Sequence, residues 1–251
     1  MAYLTLVDVN LSDSPTAGHQ IRRVSAMEAL LAHLREAIET GQHAVGDKLP
    51  SEASLGVEYG VSRSVVREAL RGLQALGLTQ SRTGKGTFVV SDRAADDPTF
   101  GHYSAHDLHE FRRHVEVPAT GYAAERHSPE DLAALRDLLD RMDRETDAAC
   151  WVELDGLFHL RIAQASANPV FAKVIEEIRD ALAAQSAFVN NLDDRRSAAN
   201  AEHHRIVEAI ASGSAEAGQT CMAHHLDQVA DALGNIIGRD AASASPKENR
   251  S

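Results

Sequence analysis

The segment Gly60-Val-Ser-Arg-Ser-Val-Val-Arg-Glu-Ala-Leu-Arg71 sets arginines at positions 63, 67 and 71. On a helix of 3.6 residues per turn, positions i, i+4 and i+8 lie within about 80° of one another, so the three guanidinium groups form one stripe. Val66, Leu70 and Leu73 recur beside it at i, i+4 and i+7 and give the same helix an apolar face. Ser62 is placed to cap it, because its hydroxyl can accept from an unpaired amide of the first turn. Such a segment folds as a helix packed on one side and cationic on another. A charged stripe by itself is most often a solvated face, and the flanking sequence decides between that and a binding surface.

Upstream, Ala26 to Ile38 keeps apolar residues at 27, 30, 31, 34, 37 and 38, a helical spacing that Gly41 ends. Ser51 then caps a short helix through Tyr59, and Gly60 provides a sharp reversal into Ser62. Downstream, Leu78 to Val90 alternates on either side of Gly84-Lys85-Gly86, which predicts a β-hairpin with a cationic tip. Three helices and a hairpin in this order predict a winged helix-turn-helix whose last helix enters the major groove of DNA.

The charge distribution agrees. The chain carries a formal net charge of -12, yet residues 20–92 hold nine Arg or Lys against eight Asp or Glu, and residues 93–251 hold 16 against 27. A near-neutral module with its arginines on one helix can meet a polyanion locally, while the acidic remainder stays off it. No apolar run approaches the ~20 residues that span a bilayer, and MAYLTLVDVNLSDSP lacks the basic start and apolar core of a signal peptide, so a cytoplasmic protein is expected. Cys150 and Cys221 have no C-x-x-C spacing and are expected to be reduced, packed thiols.

The stretches DKLPSE, GVSRSVVREALRGL, GL and GKGTFV resemble the winged helix of the GntR family of bacterial transcription regulators over about residues 24 to 90. The resemblance implies that Arg63 and Arg67 contact DNA, with Ser62 and Ser64 on phosphate or base edges. It also implies that Gly84 and Gly86 bring the wing backbone near the minor groove and that Lys85 supplies charge there. Arg71 either approaches phosphates or pairs with an acidic neighbour. Many relatives have arginine where this chain has Ala53, which removes one expected phosphate contact.

Ser91 to Pro98 breaks all periodicity and reads as part of a linker, 92–105. From His106 to Leu233 the spacing is helical almost throughout, with start signals at Ser128-Pro-Glu-Asp131, Asn168-Pro169 and Ser214. The fold class expected is therefore mostly α: a winged helix-turn-helix at 20–91, then an all-α antiparallel bundle of about six helices at 106–237. An N-terminal extension (1–19) and a disordered tail (238–251) complete the division.

Within the bundle, periodicity sorts the histidines. Asp155 and His159 share a face with Trp151, Phe158 and Ile162; His203 aligns with Ile206, Val207 and Ile210; His225 aligns with Met222, Val229 and Ala232. Their neighbours His204 and His224 follow polar faces. An aspartate and three imidazoles buried together would be costly as free polar groups. A divalent metal satisfies them, zinc first, with nickel and manganese left open because mixed N/O ligation separates these ions poorly.

The layout Glu110-Phe-Arg-Arg-His-Val-Glu116, Ala123-Ala-Glu-Arg126, Asp155-x3-His159, Asn168-Pro169, Glu202-His203 and His225-Leu226 resembles the ligand-binding domain of the FadR-like (FCD) branch of that family, over about residues 106 to 235. The resemblance implies a metal on Asp155, His159, His203 and His225 and a small carboxylate effector held by Arg112, with Arg113 the alternative. Cys221, one turn before His225, either packs or competes as a soft ligand. The function implied is a homodimeric, DNA-binding repressor or activator of a pseudo-palindromic operator. Two alternatives stand beside it: a regulator whose metal is structural or itself the signal, and a metal-dependent enzyme fused to a DNA-binding arm. The last is disfavoured because no spare buried carboxylate at helical spacing to the cluster offers a general base.

Overall fold

A computed structural model describes residues 25–190 and 195–243; the expected N-terminal extension, and the last eight residues of the expected tail, lie outside the described residues. The chain is mostly helical. Helices α1 (Ala26–Glu39), α2 (Glu52–Glu58) and α3 (Arg63–Ala75) are followed by strands β1 (Thr79–Arg82) and β2 (Gly86–Val89). Each helix has a serine cap: Ser25 accepts from the amide of Glu28, Ser51 from that of Ser54 and Ser62 from that of Val65. Gly60 makes the turn between α2 and α3 at φ 65, a left-handed conformation that favours glycine. The two strands pair antiparallel from Thr79↔Val89 to Arg82↔Gly86, and Lys48 bridges to Phe88 on the outer side of β2.

The expected linker is more ordered than its sequence indicates. Thr99–Phe100 (β3) and Tyr103–Ser104 (β4) form a small hairpin, and the amide of Ala95 donates to the carbonyl of Leu76 at the end of α3. The cause is Phe100, 3% exposed, which packs against Phe188 with ring centroids 5.8 Å apart. Two-residue strands are too short to leave a periodic trace, so an isolated aromatic anchor in a polar stretch goes unread.

Among the described residues seven helices follow where about six were expected: α4 (Ala105–Arg126), α5 (Pro129–Arg144), α6 (Ala148–Ala165), α7 (Pro169–Glu177), α8 (Arg179–Asn190), α9 (Arg195–Ala211) and α10 (Ala215–Ser243). The additional boundary lies at Ile178, between α7 and α8, where no glycine or proline marks it. Helix α10 also runs past Gly238, where the tail was expected to begin, to Ser243. Ser104 and Ser128 open α4 and α5 with full capping boxes, their N3 aspartates 107 and 131 reaching back to the cap amides.

Two apolar clusters hold the chain. One joins α1, α3 and Val89 of the wing to Phe188 and Val189 of α8 and to Val229 and Leu233 of α10, so the winged helix is packed onto the helical domain. The other fills the space between α5, α6, α9 and the first half of α10, around Trp151, Phe158, Ile206, Met222 and Leu226. Helices α4 and α10 pack against each other, and a Cβ on Gly218 would lie 3.3 Å from the carbonyl oxygen of Thr120. That proximity sets the distance between the two helices that frame the polar centre. Gly218→Val therefore overpacks the contact and should lower stability by about 1–3 kcal/mol, read as a lower melting temperature in calorimetry.

Candidate functional site

The winged helix presents one polar face. Arg63, Arg67 and Arg71 are all exposed on α3, and the hydroxyls of Ser62 and Ser64 lie 2.8 Å apart at its N-terminus. Glu52 of α2 accepts from Arg67 through Nη2 (3.1 Å) and Nε (3.4 Å), while Arg71 pairs with Glu68 one turn back at 2.7 Å. Arg71 thus has an acidic neighbour within reach, one of the two partners expected for it. Among the described residues Arg63 has no acidic partner. At the wing, Gly84 and Gly86 have φ of 69 and 104 with exposed Lys85 between them.

Sequence reasoning missed Lys48. Its side chain lies across Gly86, where a Cβ would come within 2.7 Å of Lys48 Cε, so a second lysine stands beside the wing tip. The signal was the DKLPSE stretch, whose lysine precedes the Leu49 amide bonded to Thr87. Arg82 also lies over the Phe88 ring at 4.8 Å, which fixes a third cation on the hairpin.

In the helical domain, α6 supplies Asp155 and His159, α9 supplies His203 and α10 supplies His225. All four are buried, at 7%, 4%, 0% and 3% exposure. One ring nitrogen from each histidine lies within 4.8 Å of the others. Asp155 Oδ1 stands 3.5 Å from His203 Nε2 and 3.8 Å from His159 Nε2, and its Oδ2 accepts from the Ser186 hydroxyl at 2.6 Å. Phe158 packs on His203 with centroids 4.4 Å apart, and Trp151 stacks with it at 6.3 Å.

Two buried carboxylates stand beside this centre, and neither is spare. Glu116 Oε2 lies 2.6 Å from His159 Nδ1, and Glu202 Oε2 lies 2.7 Å from His225 Nδ1. Each is also held by an arginine: Arg112 donates to Glu116 at 2.6 Å, and Arg195 donates to both oxygens of Glu202 at 2.9 Å. Burial alone would raise the Glu116 carboxyl, but the charges of Arg112 and His159 reverse this and hold it well below the usual carboxylate range. It is an ionised acceptor, already committed, and not a free base. Both glutamates were overlooked because charged residues on a helix read as solvated; the Arg112/Glu116 spacing of four was the available signal.

The arrangement suits a cation. A carboxylate hydrogen-bonded at Nδ1 fixes the tautomer of His225 and turns its Nε2 inward as an acceptor, a recurring support for metal-ligating histidines, and Glu116 stands within ion-pair distance of His159 Nδ1. Burial, with the charges of its neighbours, pushes both His203 and His225 well below the ordinary histidine pKa, which keeps the imidazoles neutral and able to ligate. Among the described residues neither ring nitrogen of His203 has a hydrogen-bond partner.

Arg112 is buried and reaches the same centre: Nη2 lies 3.3 Å from His159 Nε2, and Nη1 donates to Gln185 at 3.4 Å. It lines a cavity of about 200 Å³ with Gln185, His109, Leu226 and Val229. Arg113 points away and pairs with Asp227 at 2.5 Å. Cys221 is half-buried against the apolar cluster around α5, α6 and α9.

Comparison with known proteins gives the lineage. Residues 26–89 match the family "Bacterial regulatory proteins, gntR family", and residues 107–228 match the FCD domain. The chain is 31% identical over 216 residues to the HTH-type transcriptional regulator LutR of Bacillus subtilis, covering 78% of this chain and 95% of that protein. It is 30% identical over 225 residues to the Exu regulon transcriptional regulator of Escherichia coli, covering 85% and 86%. A solved GntR family member from Pseudomonas syringae pv. tomato aligns at 24% identity and a TM-score of 0.47, covering 88% of this chain and 89% of that one. Among the described residues no helix is long and apolar enough to cross a membrane. The chain belongs to the GntR family of bacterial regulators, in the group that carries an FCD domain, and is a DNA-binding transcription regulator and not an enzyme.

Proposed function

We propose that this regulator is a cytoplasmic homodimer whose affinity for a pseudo-palindromic operator is set by a small organic acid bound at a divalent metal ion, zinc ahead of nickel and manganese. Asp155, His159, His203 and His225 hold the ion, and Arg112 orients the acid. Ser62, Arg63, Ser64 and Arg67, with Gly84, Lys85 and Gly86 of the wing, meet the DNA. Arg71 stays with Glu68 or reaches a phosphate.

The observation that carries the metal assignment is His203. A wholly buried imidazole with two unpartnered nitrogens is costly, and an ion shared with His159, His225 and Asp155 removes that cost. When bound, the ion supplies a Lewis-acidic centre for a carboxylate or hydroxyl oxygen. The chain's own part is to keep water out through Phe158 and Trp151, to hold the imidazoles through Glu116 and Glu202, and to offer the Arg112 guanidinium. A hydroxy or sugar acid suits this pairing of ion and fork. In support, one relative of Escherichia coli, 29% identical, is named as a putative L-lactate dehydrogenase operon regulatory protein, and L-lactate is a hydroxy acid.

A second reading is favoured by one contact. Arg112 is already engaged along one edge by Glu116, which leaves chiefly Nη1 for an effector; on this reading the ion alone is the signal. Operator gel shifts after chelation, with metal restored and then with a panel of hydroxy and sugar acids, separate the two. The acid-sensing reading fails if every acid leaves DNA affinity where the metal alone put it.

Protein purified without chelator should contain about one divalent ion per chain by elemental analysis. Trp151, the single tryptophan, stacks on His203, so Ni²⁺ or Co²⁺ should quench its fluorescence; His203→Ala should abolish the quenching, and undiminished quenching in that variant would place the ion elsewhere. Glu202→Gln should weaken metal affinity by roughly 10- to 100-fold while leaving the four ligands in place. At the other end, Arg67→Ala should cost about 1–3 kcal/mol of operator binding, with an unchanged circular dichroism spectrum.

A further inference from the structure

Helix α8 touches both halves of the molecule through nearby residues. Gln185 accepts from Arg112, Ser186 donates to Asp155 Oδ2 at 2.6 Å, and Asn190 holds the Ser186 oxygen at 3.1 Å. Two and three residues after Ser186, Phe188 and Val189 are 6% and 0% exposed, inside the cluster that holds α1 and α3. The helix is a short rod with a polar grip on the candidate metal centre and an apolar grip on the DNA-reading module.

The apolar grip falls on a particular residue of α3. A Cβ on Gly72 would lie 3.1 Å from Phe188 Cε2 and 3.0 Å from Leu31 Cδ1. Glycine inside a helix costs roughly 0.5–1 kcal/mol against alanine, and the recognition helix carries that cost where Phe188 and Leu31 converge on it. Phe100 closes the seat from the other side. The Phe188 ring sits directly against the α3 backbone at Gly72, and interiors packed closely transmit displacement and do not absorb it.

We infer that α8 transmits the state of the Asp155 and histidine centre to the recognition helix, with Ser186 as the input contact and Phe188 against Gly72 as the output. This rests on the reading of that centre as a metal site. An ion that draws on Asp155 Oδ1 pulls the carboxylate whose other oxygen, Oδ2, accepts from Ser186. The helical hydrogen bonds of α8 make Ser186 and Phe188 move as one body, and α1 and α3 repack around the ring. The input and output residues touch neither DNA nor the metal directly; they act as positioning residues.

Amide hydrogen exchange on the full chain, with and without Zn²⁺, tests this. In the wild type, Zn²⁺ should slow exchange in α6 and α9, and should also change exchange in α3 around Gly72 by roughly 5-fold or more. Phe188→Ala should bind the ion with unchanged affinity, read by displacement of Ni²⁺ and recovery of Trp151 fluorescence, and protect α6 and α9 as before, yet lose the response in α3. Phe188→Leu, which keeps an apolar contact, should retain part of it. Ser186→Ala cuts the input end without touching either core; at saturating Zn²⁺ it should show the same loss, and it decides the matter if Phe188→Ala unfolds. A response in α3 that persists in both variants overturns the inference, and so does a wild type that binds Zn²⁺ and leaves α3 unchanged. If the wild type binds neither Zn²⁺ nor Ni²⁺, the metal reading fails and takes the inference with it.

Discussion

Imidazoles and carboxylates taken out of water must find partners inside the protein, and the helical domain is arranged around that requirement. Burying a polar group without a hydrogen bond costs a few kcal/mol, and burying a charge alone costs more. Here two glutamates are each neutralised by an arginine and each holds one histidine. The result is a pair of supports, Arg112–Glu116–His159 and Arg195–Glu202–His225, drawn from α4 and α6 on one side and α9 and α10 on the other. Between them, among the described residues, both ring nitrogens of His203 are without a hydrogen-bond partner, with Asp155 Oδ1 3.5 Å from its Nε2. The close approach of α4 and α10 and the apolar cover of Phe158 and Trp151 follow as conditions for keeping this set dry.

Much of this was legible from residue order. The serine caps at 51, 62 and 128 and the glycine turn at 60 are local chemistry, decided by side chain and backbone within four residues, so they can be read without knowing the fold. The inward set of Asp155, His159, His203 and His225 could be picked out because each shares a face with apolar neighbours whose spacing is unambiguous. What escaped the reading depends on contacts distant in sequence. Glu116 and Glu202 are buried only because arginines and histidines from other positions meet them. Phe100 is an anchor because Phe188 lies opposite, and Lys48 joins the wing through its bridge to Phe88 and its contact with Gly86. The break between α7 and α8 has no local breaker, so its position is set by tertiary packing on either side of Ile178.

The two halves differ in how they use charge. On the winged helix, arginines stand in solvent with carboxylates alongside, and Glu52 in particular restrains Arg67 across the α2–α3 corner. Pairs of this exposed kind contribute little to stability, about 0–1 kcal/mol, and are easily exchanged for another anion. In the helical domain the pairs are dry, and loss of one partner strands the other. Substitutions on the first surface should therefore alter recognition and leave the fold intact, while those in the second interior should disturb both.

Lys48 lying over Gly86 ties the loop before α2 to the hairpin, and its strand-like bridge to Phe88 adds a third chain segment beside β1 and β2. The hairpin consequently has no hinge of its own relative to the helices it flanks. Recognition helix and hairpin keep a fixed mutual pose, and a displacement of α3 carries β1 and β2 with it.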